Sequence, residues 1–422
     1  MTPDDEAPAI AWPRADYSRV PYRLYHDRRI YDLEQERIFK GPTWSYVGLE
    51  AELPEPGDFL TTFVGETPII LARDDAGALK AMVNRCAHRG AMVRRETRGN
   101  AREHICIYHR WCYGQDGSLT GLPFRRGVKG KGGMGPDFRI GEHGLQPLRV
   151  DSRSGVIFAS FDAAAEPLAD YLGPVIGDHL DRIFARPLSI LGYQRQRIRG
   201  NWKLYPENQR DTYHGSLLHE FQSTFSISRA TQVGGVRMDA RHRHNLTWAK
   251  TATDDEQEFN TLYKENKVHE SSLRLADPQM LRHFPEYGDG ISLAICGIFP
   301  GNTVHQISNS LATRQIRPNG PDEFEVYWTL FGYADDTPEM TEHRLLQANM
   351  VGPAGLISME DGEAIEITHR ATRGEAEASS VIEMGGAGPI VDLDHRITDI
   401  PVRGFWSYYA ELMGFEPEGA VR

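Results

Sequence analysis

Apolar positions along this chain follow two rhythms in turn. From Asp27 to Phe39, the residues Ile30, Leu33, Ile38 and Phe39 recur at close to helical spacing and predict a short surface helix. The rhythm then becomes that of strands. Residues 59–73 and 79–83 are rich in β-formers and are joined by Asp74-Asp75-Ala76-Gly77, with further turns marked at Asp116-Gly117 and Ser152-Arg153-Ser154-Gly155. Residues 167–184 return to a helical pattern. Beyond them, strands are expected at 242–251, 291–299, 303–317 and 323–333, and helices at about 338–350, 356–370 and 404–414, where Thr337-Pro338 supplies an N-cap and a proline suited to a first helical turn. Residues 1 to about 16 are polar and proline-rich and are expected to lack structure until packed on something. The fold class expected is α+β: a small all-β domain at 40–161, and a larger domain at 162–422 built from an antiparallel sheet and helices.

Composition narrows the function. With 422 residues, 40% of them hydrophobic, the chain has material for packed interiors and two domains. A formal charge of −12 and a pI near 5.8 give no general attraction to nucleic acid or to an anionic membrane. No run approaches the ~20 apolar residues of a membrane span, and the acidic start Met-Thr-Pro-Asp-Asp-Glu lacks an apolar core, so a cytoplasmic location is the expectation. Four cysteines in so long a chain read as ligands or buried thiols rather than disulfides. Cys112 and Cys296 are expected to be buried small hydrophobes.

The other two cysteines carry the most specific motif. Cys86-Ala-His88 is followed, after seventeen residues, by Cys106-Ile-Tyr-His109. One Cys and one His from each of two loops suit a [2Fe-2S] cluster with thiolates on one iron and imidazoles on the other. Structural zinc more often draws a Cys-x2-4-Cys pair from one loop. Tyr113 stands where it can donate a hydrogen bond to a cluster sulfur or thiolate.

A second constellation lies at Asn208, Asp211, His214 and His219. Two imidazoles and a carboxylate that orients one of them suit a single metal. Asp211 and His214 would share a helical face, but His214 and His219 would lie about 500° apart on a regular helix. The segment must therefore be widened or broken, and Gly215 is the place suggested. Further along, Glu360, Asp361 and Glu363 stand close together, and spacing alone makes no choice among their carboxylates.

Taken together, Cys86-x-His88, Cys106-x2-His109, Asn201-Trp-Lys through Glu207-Asn208-x2-Asp211-x-Tyr213-His214-x4-His219, and Gly352-Pro-Ala-Gly355 through Asp361 resemble the large subunit of Rieske non-heme iron ring-hydroxylating oxygenases. The resemblance spans nearly the whole chain. It departs at Ile107, where proline is common, at Arg110, where a small residue is common, and at Cys112. It implies a Rieske domain, a catalytic domain of helix-grip type with residues 1–39 packed on it, and Asp361 as the carboxylate ligand of a mononuclear Fe(II) beside His214 and His219. It further implies O2 as co-substrate and electrons from NADH through a reductase and a ferredoxin. A trimer, α3 or α3β3 with a small β subunit, would place each cluster beside a neighbour's iron, with Asp211 bridging His214 to the neighbour's His109. Asn208 would line the site. A bare Rieske electron carrier would need only the first 160 or so residues.

The overall texture is similar to anthranilate, salicylate and terephthalate oxygenases, all of which act on benzene rings bearing a carboxylate. Arg314 and Arg396 are the guanidinium candidates for that group, while Arg241-His-Arg-His244 is similar to salicylate hydroxylases. Between Arg94 and Lys131 nine basic residues face three acidic ones, a local +6 suited to an acidic electron donor.

Overall fold

The structure, a computed structural model, describes residues 10–251, 261, 263 and 274–415. It divides into two compact units, one of Phe39–Leu168, the other joining the N-terminal segment through Ile38 to the chain from Ala169 onward. The chain enters through strand β1 (Arg19–Pro21) and helix α1 (Arg28–Glu34), which Asp27 caps by accepting from the Arg29 N–H and which a π-turn, Gln35–Phe39, extends. Of the segment expected to lack structure, residues 1–9 lie outside the described residues. Trp12, by contrast, is fully buried, its ring 5.8 Å from that of Trp406.

The smaller unit contains β2 (Ser45–Leu49), β3 (Asp58–Val64), β4 (Thr67–Arg73), β5 (Leu79–Val83), β6 (Arg98–Asn100), β7 (Glu103–Ile105), β8 (Cys112–Gly114), β9 (Leu119–Gly121), β10 (Pro147–Arg153) and β11 (Val156–Ser160). Seven of them form a sheet in the order β2-β11-β10-β5-β4-β3-β6, and β7-β8-β9 make a separate three-stranded sheet. The expected turns are present: Gly117 and Gly155 have φ of +83° and +82°, conformations that cost a side chain. The core of this unit packs Phe59, Ile70, Met82, Trp111, Tyr113 and Leu145 around both Cys86 and Cys106.

The larger unit continues with α2 (Leu168–Ile183), β12 (Leu188–Ile198), α3 (Leu204–Arg210), α4 (Glu220–Thr224), β13 (Gly234–Met238), β14 (Asn245–Lys250), β15 (Ile291–Ile298), β16 (Asn302–Ile307), β17 (Ser310–Pro318), β18 (Phe324–Tyr333), α5 (Pro338–Val351), α6 (Leu356–Thr372), β19 (Ser379–Val381) and α7 (Ile400–Met413). Its sheet is antiparallel, in the order β12-β18-β17-β16-β15-β14-β13. The single strand expected at 303–317 is a hairpin instead. Ser308 turns it at φ +54°, and the next residue, Asn309, is a buried polar residue bonded to Phe284 and Glu286, so no break in burial marks the turn. Strand β12 also escapes sequence reading, because Gln194-Arg195-Gln196-Arg197 looks like surface. It is an edge strand, and it seats α6: Gln196 Nε2 donates to the Ser358 carbonyl at 2.9 Å and Ser358 Oγ to Gln196 Oε1 at 2.8 Å. Gly362 permits this approach, since a Cβ there would stand 2.9 Å from Gln196 Nε2.

Helices α1, α3 and α7 meet at a buried ion pair. Glu34, fully buried, accepts from Lys203 Nζ at 2.6 Å, Trp202 Nε1 at 2.7 Å and Tyr409 Oη at 2.6 Å. Removing one partner strands the other charge in a dry interior, which typically costs about 3–5 kcal/mol. Lys203→Met is therefore expected to lower unfolding stability by about that amount, and Lys203→Met with Glu34→Gln to recover part of it, as measured by denaturant unfolding. Equal stability of Lys203→Met and the native chain would show the pair to be unimportant.

Two candidate metal centres

The two Cys-x-x/His loops of the smaller unit are built alike. In the first, the Cys86 N–H donates to the Ala91 carbonyl and the Gly90 N–H to the Cys86 carbonyl. In the second, the Cys106 N–H donates to Trp111 and the Arg110 N–H to Cys106. The fifth residue of each loop has positive φ, Gly90 at +77° and Arg110 at +57°, so the arginine carries a strain that glycine avoids. These matched turns aim one buried thiol and one half-buried imidazole from each side. His88 and His109 face each other Nδ1 to Nδ1 at 3.1 Å, and the His88 ring stacks on Trp111 at 5.0 Å.

Tyr113 reaches the same place. Its hydroxyl oxygen accepts from the Ala87 N–H at 3.0 Å, which leaves its proton for Cys86 Sγ at 3.1 Å. Burial pushes the Cys86 thiol up, and the tyrosine bond opposes that. Desolvation and the neighbouring His109 and Arg89 hold His88 below its ordinary value, so its ring nitrogen is available as a ligand. The donor set, two buried sulfurs beneath two outward nitrogens, fits a cluster with one thiolate-bound and one imidazole-bound iron. Cys296 is buried as expected, whereas Cys112 is only half-buried on β8, its Sγ 3.3 Å from the Arg110 carbonyl.

In the larger unit the expected break falls earlier than Gly215. Helix α3 ends at Arg210; Asp211 is extended at φ −70° and ψ +102°, and His214–Ser216 form a single 3-10 turn before α4. No helix has to bring the two histidines together, because the chain turns twice between Asp211 and Glu220. His214 and His219 then converge with Asp361: their Nε2 atoms lie 3.3 and 3.2 Å from the same Oδ1. Possible ligand atoms of these three residues all lie within 4.8 Å of one another.

Helix α6 sets Glu360, Asp361 and Glu363 apart. Its buried face carries Ile357, Asp361, Ile365 and His369, so Asp361 points inward and Glu363 outward. Glu360, between them, reaches His219 Nδ1 at 2.7 Å. Asp211 Oδ2 stands 3.4 Å from His214 Nδ1, and Asn208 Nδ2 donates to Asp361 Oδ1 at 3.2 Å. Both imidazoles thus have a carboxylate on the Nδ1 side and turn Nε2 toward Asp361; for His219 that contact is a hydrogen bond, the kind that fixes a tautomer. Sequence reading held Glu360 only as one of three neighbouring carboxylates; its place behind His219 carried no signal in the chain.

The charges of this site reinforce one another. Burial alone would lower His214, but the Asp211 and Asp361 carboxylates raise it to about 10. Against its own burial, Asp361 is held far below the usual carboxylate range by hydrogen bonds and charge from His214 and His219. The site therefore draws in positive charge, which protons or a divalent cation can supply. Two imidazoles and one carboxylate with room on the remaining sides fit Fe(II). A second group, His26, Asp322 and His369, is also close enough to hold an ion, but there the Arg373 guanidinium already pairs with Asp322 at 2.6 Å.

Two cavities flank His214. One, of about 70 Å³, is lined by Gln209, His219, Leu293, Ile295, Ile307, Ile357 and Asp361, and by both Arg314 and Arg396. The other, of about 300 Å³, is lined by Glu207, Asn208, Asp211, Ile382 and Asp399. Burial raises Glu207 to about 7 and Asp399 to about 6. Asp211 lines both cavities.

Comparison with known proteins agrees with these centres. Residues 43–130 match the family described as "Rieske [2Fe-2S] domain", and residues 177–414 the family described as "Ring hydroxylating alpha subunit (catalytic domain)". The chain is 48% identical over 413 residues to the anthranilate 1,2-dioxygenase large subunit of Burkholderia cepacia, covering 97% of each chain. It is 44% identical over 409 residues to the large oxygenase component of salicylate 5-hydroxylase from Ralstonia sp, covering 96% of each. It is 43% identical over 416 residues to the terminal oxygenase component subunit alpha 2 of terephthalate 1,2-dioxygenase from Comamonas sp, covering 96% of this chain and 98% of that one.

The two donor sets share no residue, so they are expected to fail separately. Cys86→Ser should abolish the visible spectrum of the cluster. His214→Ala should leave that spectrum and remove only the mononuclear iron, and Glu360→Gln should weaken iron retention by about 10–100-fold. Metal analysis together with the absorption spectrum checks all three, and bleaching of the cluster in folded His214→Ala protein would contradict the assignment.

Proposed function

The chain belongs to the ring-hydroxylating oxygenase alpha subunits, and from that membership we propose that it is the terminal oxygenase for a benzene ring bearing a carboxylate, of the anthranilate or salicylate kind. It is an oxidoreductase with a Rieske [2Fe-2S] centre and a mononuclear iron. The observation that carries the carboxylate reading is the pair of buried guanidiniums beside the donor triad. Among the described residues Arg396 donates to neutral acceptors alone, Ser228 Oγ at 3.0 Å, Gln232 Oε1 at 3.1 Å and the Arg229 carbonyl, and its buried Nε has no hydrogen-bond partner there. Burial drags its pKa down to about 10. Arg314 likewise has no carboxylate partner among the described residues: it donates to His305, Tyr205 and Gln209. A planar carboxylate would compensate such a charge with two parallel hydrogen bonds, while Leu293, Ile295, Ile307 and Ile357 offer an apolar wall to the ring. Two guanidiniums in one cavity also favour a second reading, a dicarboxylate of the terephthalate kind.

When bound, the iron supplies dioxygen activation, and the cluster relays the single electrons that it requires. The protein's own groups do the rest. His214, His219 and Asp361 hold the iron, Glu360 and Asp211 fix the two imidazoles, and Arg396 with Arg314 orients the ring. Cys86 and Cys106 hold one cluster iron, His88 and His109 the other. The cavity of Glu207, Asp211 and Asp399 receives the cluster-bearing tip of a second copy, so that Asp211 joins His214 to His109 of the neighbour in an α3 or α3β3 assembly. An exposed tip with Ile107 and Tyr108 beside His109 supports that reading. Electrons arrive from NADH through a reductase and an acidic ferredoxin at the basic surface around the second loop. Of its nine basic residues eight are exposed; Arg94 is committed to His104 Nδ1 at 2.9 Å and to the Phe59 ring.

Two measurements test this. With a panel of anthranilate, salicylate, terephthalate and uncharged rings such as aniline, carboxylates should be the productive substrates, and Arg396→Gln should weaken their binding by about 2–5 kcal/mol, as expected for a buried charge pair losing one side. Turnover of an uncharged ring as fast as any carboxylate would refute the assignment. The reduction rate by ferredoxin should fall steeply with salt, as the Debye length shrinks from about 10 Å at 0.1 M to about 3 Å at 1 M, and should fall again on charge reversal of Arg95 or Arg110. A rate indifferent to both would place the donor elsewhere.

A further inference from the structure

Arg314 and Asp361 are joined by an unbroken run of hydrogen bonds. Arg314 Nη1 donates to Gln209 Oε1 at 2.8 Å, Gln209 Nε2 donates to Asn208 Oδ1 at 3.2 Å, and Asn208 Nδ2 donates to Asp361 Oδ1 at 3.2 Å. That last oxygen is the one shared by His214 and His219. The direction of the run is fixed at both ends. A guanidinium only donates and an ionised carboxylate only accepts. Gln209 must therefore turn its oxygen to Arg314, which leaves its N–H for Asn208, and Asn208 must turn its own N–H to Asp361. Reversing either amide sets N–H against N–H or oxygen against oxygen. Arg314 itself is firmly placed, its Nε on His305 Nδ1 at 3.0 Å and its guanidinium 4.1 Å from the centre of the Trp328 ring.

We propose that Gln209 is a positioning residue that couples a carboxylate on Arg314 to the metal-binding strength of Asp361. The proposal rests on the reading of Arg314 as a substrate-carboxylate contact. A substrate carboxylate that engages Arg314 through Nη1, whose two hydrogens go to Gln209 Oε1 and Tyr205 Oη, competes with the neutral Gln209 oxygen, and a charged acceptor wins that competition. Gln209 released from Arg314 loosens its hold on Asn208, and Asn208 in turn gives up its hydrogen bond to Asp361 Oδ1. That oxygen is then freer to bind a cation. By linkage the effect is reciprocal: metal and carboxylate each raise the other's affinity by one common factor. A ring without a carboxylate leaves the run undisturbed, so Gln209 makes the metal site responsive to the correct class of substrate before any reaction begins.

The test uses cluster-loaded full-length protein depleted of mononuclear iron, with Co(II) as the metal probe in anaerobic equilibrium dialysis. Benzoate is expected to tighten Co(II) binding by about 5-fold or more, Co(II) to tighten benzoate by the same factor, and aniline to do neither. In Gln209→Leu, of similar size but without donor or acceptor, both ligands should still bind while the factor falls to about one. Gln209→Glu, which can accept from Arg314 but cannot donate to Asn208, should lose the coupling too. Absence of coupling in the native chain, or its survival at full size in Gln209→Leu, overturns the relay while leaving the carboxylate reading intact. Benzoate affinity unmoved by Arg314→Gln alone overturns the relay, and affinity unmoved by both Arg314→Gln and Arg396→Gln overturns the carboxylate reading with it.

Discussion

One carboxylate oxygen, Asp361 Oδ1, bears most of the organisation of the larger unit. It faces two imidazole Nε2 atoms and one amide N–H within 3.3 Å, in a place from which solvent is excluded. An ionised carboxylate is tolerated there only because every neighbour is a donor. The surroundings follow from that requirement. Helix α6 must present Asp361 inward, which Gln196 and Gly362 secure against β12, and the chain after α3 must turn twice so that two histidines reach one point. Glu360 then bonds His219 Nδ1, and Asp211 stands 3.4 Å from His214 Nδ1.

Much of this was legible in the residues. The spacing Cys86-x-His88 and Cys106-x2-His109 carries its chemistry in sequence because both ligands of each loop lie within a few residues and the loops themselves are short. The helices at α5, α6 and α7 were visible from their period and the Thr337-Pro338 start. What was not legible depended on contacts between distant segments. Glu360, Asp361 and Glu363 differ only in which side of α6 meets the sheet, a matter settled by packing. The β12 strand hides in its sequence because its solvent-facing arginines alternate with glutamines that face inward, Gln196 bonding Ser358, instead of with apolar residues. The break before His214 could be argued from geometry, but its position at Asp211 could not, since no glycine or proline marks it.

The two arginines illustrate a further limit of sequence. An arginine in a predicted strand is ordinarily a surface residue or half of an ion pair. Only the structure places Arg314 and Arg396 in the same small cavity as the donor triad, both with neutral acceptors. Here the informative signal is a missing partner, and a missing partner cannot be seen in a linear chain.

The ligands of the two centres are distributed very differently along the chain. The four residues of the cluster loops fall between Cys86 and His109, inside one small β unit with its own core. The other candidate centre takes two residues from between β12 and β13, the first two strands of the antiparallel sheet in chain order, and one from α6, after its last strand. A ribosome making this protein therefore completes the cluster pocket early. The second pocket lacks Asp361 until α6 emerges and docks on Gln196 of β12. The two pockets are accordingly completed at different points along the chain, and a chain truncated before Leu356 retains all four residues of the cluster loops while lacking Asp361.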